Sequence, residues 1–271
     1  CAVLEQLYKC GGVEEIILHG YENDEVLAGI LHLCYENAFN WLAKRNIKLT
    51  YEIFTEDFIL ANANSKGLFA EKPIYDIVIG NPPYKKINKA DPRSIAAKDF
   101  VFGQPNLYSL FMGVAARMLV NSGELIFITP RSYINGSYFK AFRREFFAIM
   151  KPELIHVFDS RKDTFKRDDV LQETIITKAR KESSSNEPII ISSSIGALDL
   201  QNSYKYILSL DSIFVRGCDG IPSLRLPLNE NDMNSIRQIE KWDQNLQTLG
   251  LQISTGPVVP FRTEKHIVDF V

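Results

Sequence analysis

Apolar and polar positions along the chain switch repeatedly between a helical and a strand period. Residues 2–9 have helical spacing, and Gly11-Gly12 ends that helix. Glu15 to His19 reads as a strand. From Asp24, a good N-cap, Val26, Leu27, Ile30, Leu31, Cys34, Ala38, Phe39 and Leu42 recur at intervals of three and four, predicting a long amphipathic helix to about Arg45. Residues 47–54 alternate as a strand, closed by Thr55, Glu56, Asp57 and Phe58. Ile74 to Ile79 is a short β-branched run between Pro73 and Gly80, the pattern of a parallel strand buried on both faces. Beyond a Lys-rich loop at 85–105, the pattern predicts a helix capped by Asn106 and running to Met118. A strand at Glu124–Thr129, a helix at Tyr138–Met150 and strands at Leu154–Phe158 and Thr174–Lys178 follow. Such alternation predicts an α/β fold with a doubly wound, mostly parallel sheet.

After a polar stretch at 181–188, Ile189 to Ser193 reads as a strand. From about Gly217 the alternation is lost, leaving a helix at Asp232–Trp242 and strand-turn material at 250–262. No internal repeat is present.

Composition changes this picture little. At 271 residues, 45% apolar and 24% charged, the chain matches an ordinary soluble globular protein and can bury a substantial core. No apolar run approaches the ~18 residues of a membrane span, and no signal peptide is visible, so no membrane partner is expected. Cys1, Cys10, Cys34 and Cys218 have no metal-ligand spacing; they read as reduced thiols of a cytoplasmic protein, with neither a metal site nor a disulfide frame.

Charge adds more through its distribution than its total. Net charge is −2, yet residues 81–180 hold 17 Lys/Arg against 10 Asp/Glu. Lys85, Lys86, Lys89 and Arg93 form one group, Arg131, Lys140, Arg143 and Arg144 a second, and Arg161, Lys162, Lys166 and Arg167 a third. Clusters of this kind contact phosphates. For Arg143 and Arg144 a solvated helix face is an equal reading.

The candidate chemistry lies at the end of the 74–79 strand. Asn81-Pro82-Pro83-Tyr84 can neither extend the strand nor enter a helix, because both prolines fix φ and lack an N–H. An amide, two rigid residues and an aromatic ring are thus held at a strand's carboxyl end, where ligands bind in open α/β sheets.

Asp76 to Tyr84 resembles motif IV of the S-adenosylmethionine-dependent amino-methyltransferases, above all the N6-adenine DNA methyltransferases of restriction–modification systems. The resemblance implies a Rossmann-like methyltransferase core with S-adenosylmethionine as cofactor. It also implies catalytic roles for Asn81, Pro82, Pro83 and Tyr84. The Asn81 side-chain oxygen and a proline carbonyl would accept from an exocyclic amine, freeing its lone pair for attack on the methyl sulfonium. The Tyr84 ring would stack on a flipped base.

Further positions match the same family. Glu22 resembles the acid that holds the cofactor ribose hydroxyls, and Asp57 with Phe58 resembles motif III, which binds the cofactor adenine. Asn106 to Phe111 resembles motif V, placing Tyr108, with Asn81, among the cofactor-lining residues; Glu124 to Ser132 resembles motif VI. Phe165 stands where motif VIII supplies a second stacking aromatic. Read from the residues alone, the competing account makes Glu22 a helix-N-terminal acid and Asp57 a surface-loop acid, and Tyr108 and Phe111 are equally core aromatics.

No glycine-bearing motif I is present; the chain opens on what should be the helix after it, so a catalytic domain truncated before its first strand is expected at residues 1–182. Residues 183–271 are expected to end the core and begin a target-recognition domain. The implied partners are duplex DNA, gripped by Lys85, Lys86, Lys89, Arg93 and Arg131, and a restriction endonuclease, separate or fused. Two alternatives stay open: methyl transfer to RNA guanine N2 or protein glutamine, and an inactive DNA-binding or scaffold module.

Overall fold

The computed structural model describes residues 2–63, 74–158, 173–182, 187–196, 199–200, 203–217, 219–244, 246 and 248–251. Phe165, the basic group at 161–167 and the strand-turn material beyond residue 251 lie outside them. The chain divides into two compact units, Cys1–Leu226 and Pro227–Val271.

In the first unit, α1 (Ala2–Cys10) precedes β1 (Glu15–Tyr21), α2 (Glu25–Ala43) and β2 (Lys48–Phe54). Asp24 caps α2 as its position predicts, its carboxylate accepting from the amides of Val26 and Leu27; such a cap is worth about 1 kcal/mol. β1 and β2 form a parallel two-stranded ladder, in register from Glu15 opposite Lys48 to Tyr21 opposite Phe54. Leu4, Ala38, Leu42, Ile47 and Leu49 close its core. His19 of β1 ties this ladder to the strand Tyr75–Gly80: its Nδ1 lies 2.7 Å from the Tyr75 hydroxyl.

The remaining elements of this unit are α3 (Phe58–Asn62), β3 (Tyr75–Gly80), α4 (Pro92–Ala96), α5 (Leu107–Met118), β4 (Leu119–Pro130), α6 (Lys140–Phe146) and β5 (Met150–Phe158). They are followed by β6 (Thr174–Lys181), β7 (Ile189–Ser194), β8 (Tyr204–Leu208), α7 (Leu210–Ile213), β9 (Phe214–Arg216) and β10 (Pro222–Leu224). β9 and β10 pair as a small antiparallel ladder. The main sheet has the order β3-β4-β6-β5-β7-β8. β3, β4, β5 and β7 run one way, and β6 and β8 run against them. The fold is the α/β class expected, with a mixed sheet. β7 and β8 carry this sheet past residue 183, and the boundary between the units falls after Leu226.

Several boundaries moved for local reasons. β3 is an edge strand among the described residues, and Ile77 and Ile79 are exposed at 37% and 46%, so the apolar run is not buried on both faces. The helix expected at Tyr138–Met150 is short. Two 3₁₀ turns, Arg131–Ile134 and Ser137–Phe139, precede α6, and Met150 already pairs with Lys181. The β5 register shifts between Pro152 and Leu154, where proline has no N–H to give the ladder. The loop at 85–105 contains α4, capped by Asp91 with Pro92 in its first turn. Arg143 is neither solvated nor available to phosphate. It is 2% exposed, donating from Nε to the Pro222 carbonyl (2.7 Å) and from Nη1 to those of Gly136 (2.6 Å) and Tyr133 (3.2 Å).

The second unit contributes α8 (Glu230–Ile239), capped by Asn229, and bears no buried residue. Among the described residues no helix is long and apolar enough to cross a membrane.

Candidate active site

The site begins with a glycine. Gly80 closes β3 directly opposite Phe127 of β4, and a Cβ there would lie 2.9 Å from the Phe127 ring. Only glycine lets the two strands meet at this point, and the chain leaves the sheet at the next residue. Pro82 is buried, anchoring the turn, while Asn81 and Pro83 are exposed. The Tyr84 hydroxyl lies 3.0 Å from Asn81 Oδ1 and 3.2 Å from the Ile128 carbonyl oxygen, so its single proton is offered to two acceptors. Burial pushes this phenol up to about 12, keeping it a donor at neutral pH. The Asn81 amide, the first residue past β3, is thereby turned with its oxygen toward the tyrosine.

Behind Tyr84 stands Tyr108, fully buried and edge-on at 6.2 Å between ring centroids. In that position the Tyr108 ring packs among aromatics, with Tyr84 on one side and Phe139 on another. Burial pushes its hydroxyl up as well. The segments around both tyrosines are stitched together by backbone bonds: Leu107 N–H donates to the Lys85 carbonyl and Ile87 N–H to the Pro105 carbonyl. Asn106 is at the N-cap of α5 but makes no side-chain cap; its buried Oδ1 has no hydrogen-bond partner among the described residues.

The second half of the site lies at the carboxyl ends of β1 and β2. Glu22 follows β1, held by its N–H donating to the Phe54 carbonyl, and one carboxylate oxygen accepts from the Asp24 amide. Asp57 caps α3: Oδ1 accepts from Ile59 and Leu60 N–H at 2.9 and 3.1 Å. Phe58 stacks on Phe111 of α5 with centroids 5.1 Å apart and planes 13° apart, and meets Tyr21 edge-on. Phe111 therefore joins the motif III pair to the helix that carries Tyr108, a role sequence spacing left open against plain core packing. A ring between two others needs about 7 Å, twice the ~3.5 Å contact distance, so a purine would pack on an outer face of this pair.

The donor set fits an adenosyl cofactor in part. Glu22 has a carboxylate for a diol, Asp57 retains Oδ2 for an amine, and Phe58 with Phe111 supplies an aromatic face. Among the described residues no group of three or more His, Cys, Asp or Glu is placed to hold a metal.

The basic residues separate into two kinds. Lys85, Lys86 and Lys89 are exposed beside the turn. Arg93 is instead forked onto Asp91 (2.6 and 2.8 Å), and Arg131 pairs with Glu173 at 2.6 Å. Those two cations are neutralised where they stand, so the phosphate contact expected of them has to compete with a carboxylate. The Asp91-Pro92-Arg93 capping pattern was the signal that could have revealed the first pairing.

The model of the Eco57I restriction-modification methylase family matches residues 17–165, which include Glu22, Asp57, Asn81 to Tyr84 and Tyr108. The chain belongs to that family. It is 34% identical over 261 residues to the Type II methyltransferase M.PstI of Providencia stuartii, covering 94% of this chain and 50% of that protein. It is 31% identical to the Type II methyltransferase M.BsuBI of Bacillus subtilis, covering 92% and 49%. The chain thus spans about half the length of the curated relatives it matches. In fold it is similar to a modification subunit assigned to a type I restriction enzyme of Vibrio vulnificus YJ016, with a TM-score of 0.58 at 12% identity, over 88% of this chain and 54% of that one. A type I restriction–modification structure gives a TM-score of 0.57 at 11% identity, over 89% and 56%. The Eco57I-family match agrees with the methyltransferase core that the motifs imply, and these neighbours agree with its α/β fold.

Proposed function

We propose that this chain forms the core of an enzyme that methylates adenine N6 in duplex DNA, as the modification activity of a restriction–modification system. The observation that carries the reading is the Asn81 carboxamide at the carboxyl end of β3, its oxygen oriented by Tyr84 beside an exposed turn. Adenine's exocyclic nitrogen is a poor nucleophile because its lone pair is delocalised into the ring. Asn81 Oδ1 and the Pro82 carbonyl would each accept one of its two hydrogens, drawing the nitrogen toward tetrahedral geometry and directing the lone pair outward. The Tyr84 hydroxyl would then donate to the Ile128 carbonyl, its second acceptor, as Asn81 Oδ1 turns to the base. The Tyr84 ring gives the base a stacking face worth about 1–3 kcal/mol, offsetting much of the cost of flipping.

S-adenosylmethionine, when bound, supplies an electrophilic methyl sulfonium. Glu22 would hold its ribose, Asp57 its adenine amine, and the Phe58–Phe111 pair its ring face; no residue of this chain is assigned to its methionine end. After transfer the surplus proton on nitrogen passes to solvent. Lys85, Lys86 and Lys89 would meet the phosphates, and Phe165 would close on the opposite face of the base. Sequence discrimination would fall to residues beyond Leu226, in the major groove. A restriction endonuclease, separate or fused, would read the same site.

The test uses labelled S-adenosylmethionine with the protein at its natural length, offering unmethylated duplex DNA, ribosomal RNA and release factor side by side. Label is expected in DNA as N6-methyladenine, and Asn81→Ala should abolish it while DNA affinity stays within about twofold. Label in RNA or protein would replace the acceptor, and turnover by Asn81→Ala would remove the mechanism. No label in any acceptor would favour the non-catalytic module.

A further inference from the structure

Asp57 is held from two sides, and its two oxygens do different things. Oδ1 is committed to the amides that open α3. Oδ2 faces Nη1 of Arg93 at 3.7 Å, close enough for strong attraction but longer than a normal hydrogen bond, so its lone pairs stay open to a ligand N–H. Arg93 is in turn fixed. Nε and Nη2 donate to the two carboxylate oxygens of Asp91, which also accepts from the Arg93 amide and caps α4. The Arg93 guanidinium holds the Asp91 carboxyl at about 2, well below the usual carboxylate range. Arg93, Asp91 and Asp57 are each less than a third exposed. The clamp sits in the stretch that directly follows the exposed Lys85, Lys86 and Lys89.

We infer that Arg93 is a positioning residue for cofactor recognition: it aims Asp57 Oδ2 at the adenine amine and so sets the preference for an adenosyl over a deaminated, inosyl ring. The inference rests on the proposed role of Asp57. Arginine brings donors only, and at 3.7 Å its Nη1 attracts Oδ2 without filling the lone pairs that a ligand amine would use. With Arg93 removed, the carboxylate is held through Oδ1 alone and can swing Oδ2 about that anchor, so selectivity should fall while ring stacking on Phe58 and Phe111 persists. Since Arg93 lies on the segment after the catalytic turn, the same contact couples that segment to the cofactor pocket.

The experiment titrates the protein at its natural length with S-adenosylhomocysteine and with its deaminated S-inosyl counterpart. The wild type should favour the adenosyl ligand at least about tenfold, as a hydrogen bond to a charged group commonly gives. Asp57→Ala should bring the ratio near one. Arg93→Gln should weaken the adenosyl ligand about fivefold to tenfold and leave the inosyl ligand within about twofold, because only the amine contact is lost. Asp91→Asn, which loosens Arg93 without touching it, should shift the ratio the same way. A ratio lost in Asp57→Ala but kept in Arg93→Gln overturns the inference, as does equal loss of both ligands in Arg93→Gln. A ratio kept in Asp57→Ala overturns instead the reading of Asp57 as the amine acceptor.

Discussion

Replacing Gly80 by Ala tests how the Asn81–Tyr84 turn is held. The backbone at Gly80 is not in the left-handed region, so the cost comes from space alone. The added methyl would meet Phe127 Cζ at 2.9 Å, Cε1 at 3.1 Å and Cε2 at 3.4 Å. Phe127 is 3% exposed and sits directly opposite in the ladder, so its ring has no free direction in which to swing. Overpacking of this kind costs about 1–3 kcal/mol. In a unit of this size that lowers the unfolding midpoint by about 2–4 °C per kcal/mol. The strand end must also shift, and Asn81 is the next residue; a displacement near 1 Å at a reacting group costs about 100-fold in rate.

Phe127→Leu removes the ring atoms that the methyl strikes and by itself should cost about 1–2 kcal/mol through the cavity it leaves. Combined, the two changes should recover about 1–2 kcal/mol relative to their sum, measured by urea unfolding of all four proteins, with methyl transfer recovering in parallel. Simple additivity, or a Gly80→Ala cost within about 0.5 kcal/mol, would refute the argument that close approach of Phe127 requires the glycine.

Two further outcomes are expected. Arg143→Met should cost about 3–5 kcal/mol in urea unfolding, because it strands the carbonyls of Tyr133, Gly136 and Pro222 with no donor; a cost below about 1 kcal/mol would show that water replaces the guanidinium. His156 is buried between Ser192 (2.8 Å) and Ser194 (3.0 Å), and burial pulls its imidazole below the ordinary histidine value. A depressed folded value means the unfolded chain takes up the proton first. The stability it contributes is therefore complete above about pH 6.5 and is lost as pH falls below that. His156→Gln should flatten the pH dependence of stability below about pH 6.5, and an unchanged slope would count against the neutral imidazole bonded at both nitrogens.

The sequence alone determined what depends on short-range chemistry. The period of apolar residues set α2 and most of the strands. Asp24 announced its helix because a carboxylate two and three residues before free amides is a local arrangement. Asn81 to Tyr84 announced a turn at the end of β3 because two prolines after a β-branched run leave the backbone no alternative. Tertiary structure decided everything that depends on which segments meet. Ile77 and Ile79 read as buried, but burial belongs to the sheet's neighbours and not to the run itself; at an edge they are exposed. Tyr108 packs edge-on against Tyr84, 24 residues away in sequence, a contact that no local pattern contains. Arg93, Arg131 and Arg143 look alike in sequence. Only the fold shows that one holds Asp91 and faces Asp57, one pairs with Glu173 and one binds three backbone carbonyls. A charge is written in the sequence, but its partner is fixed by geometry, since Coulombic and hydrogen-bond energies depend on distances that the order of residues does not contain.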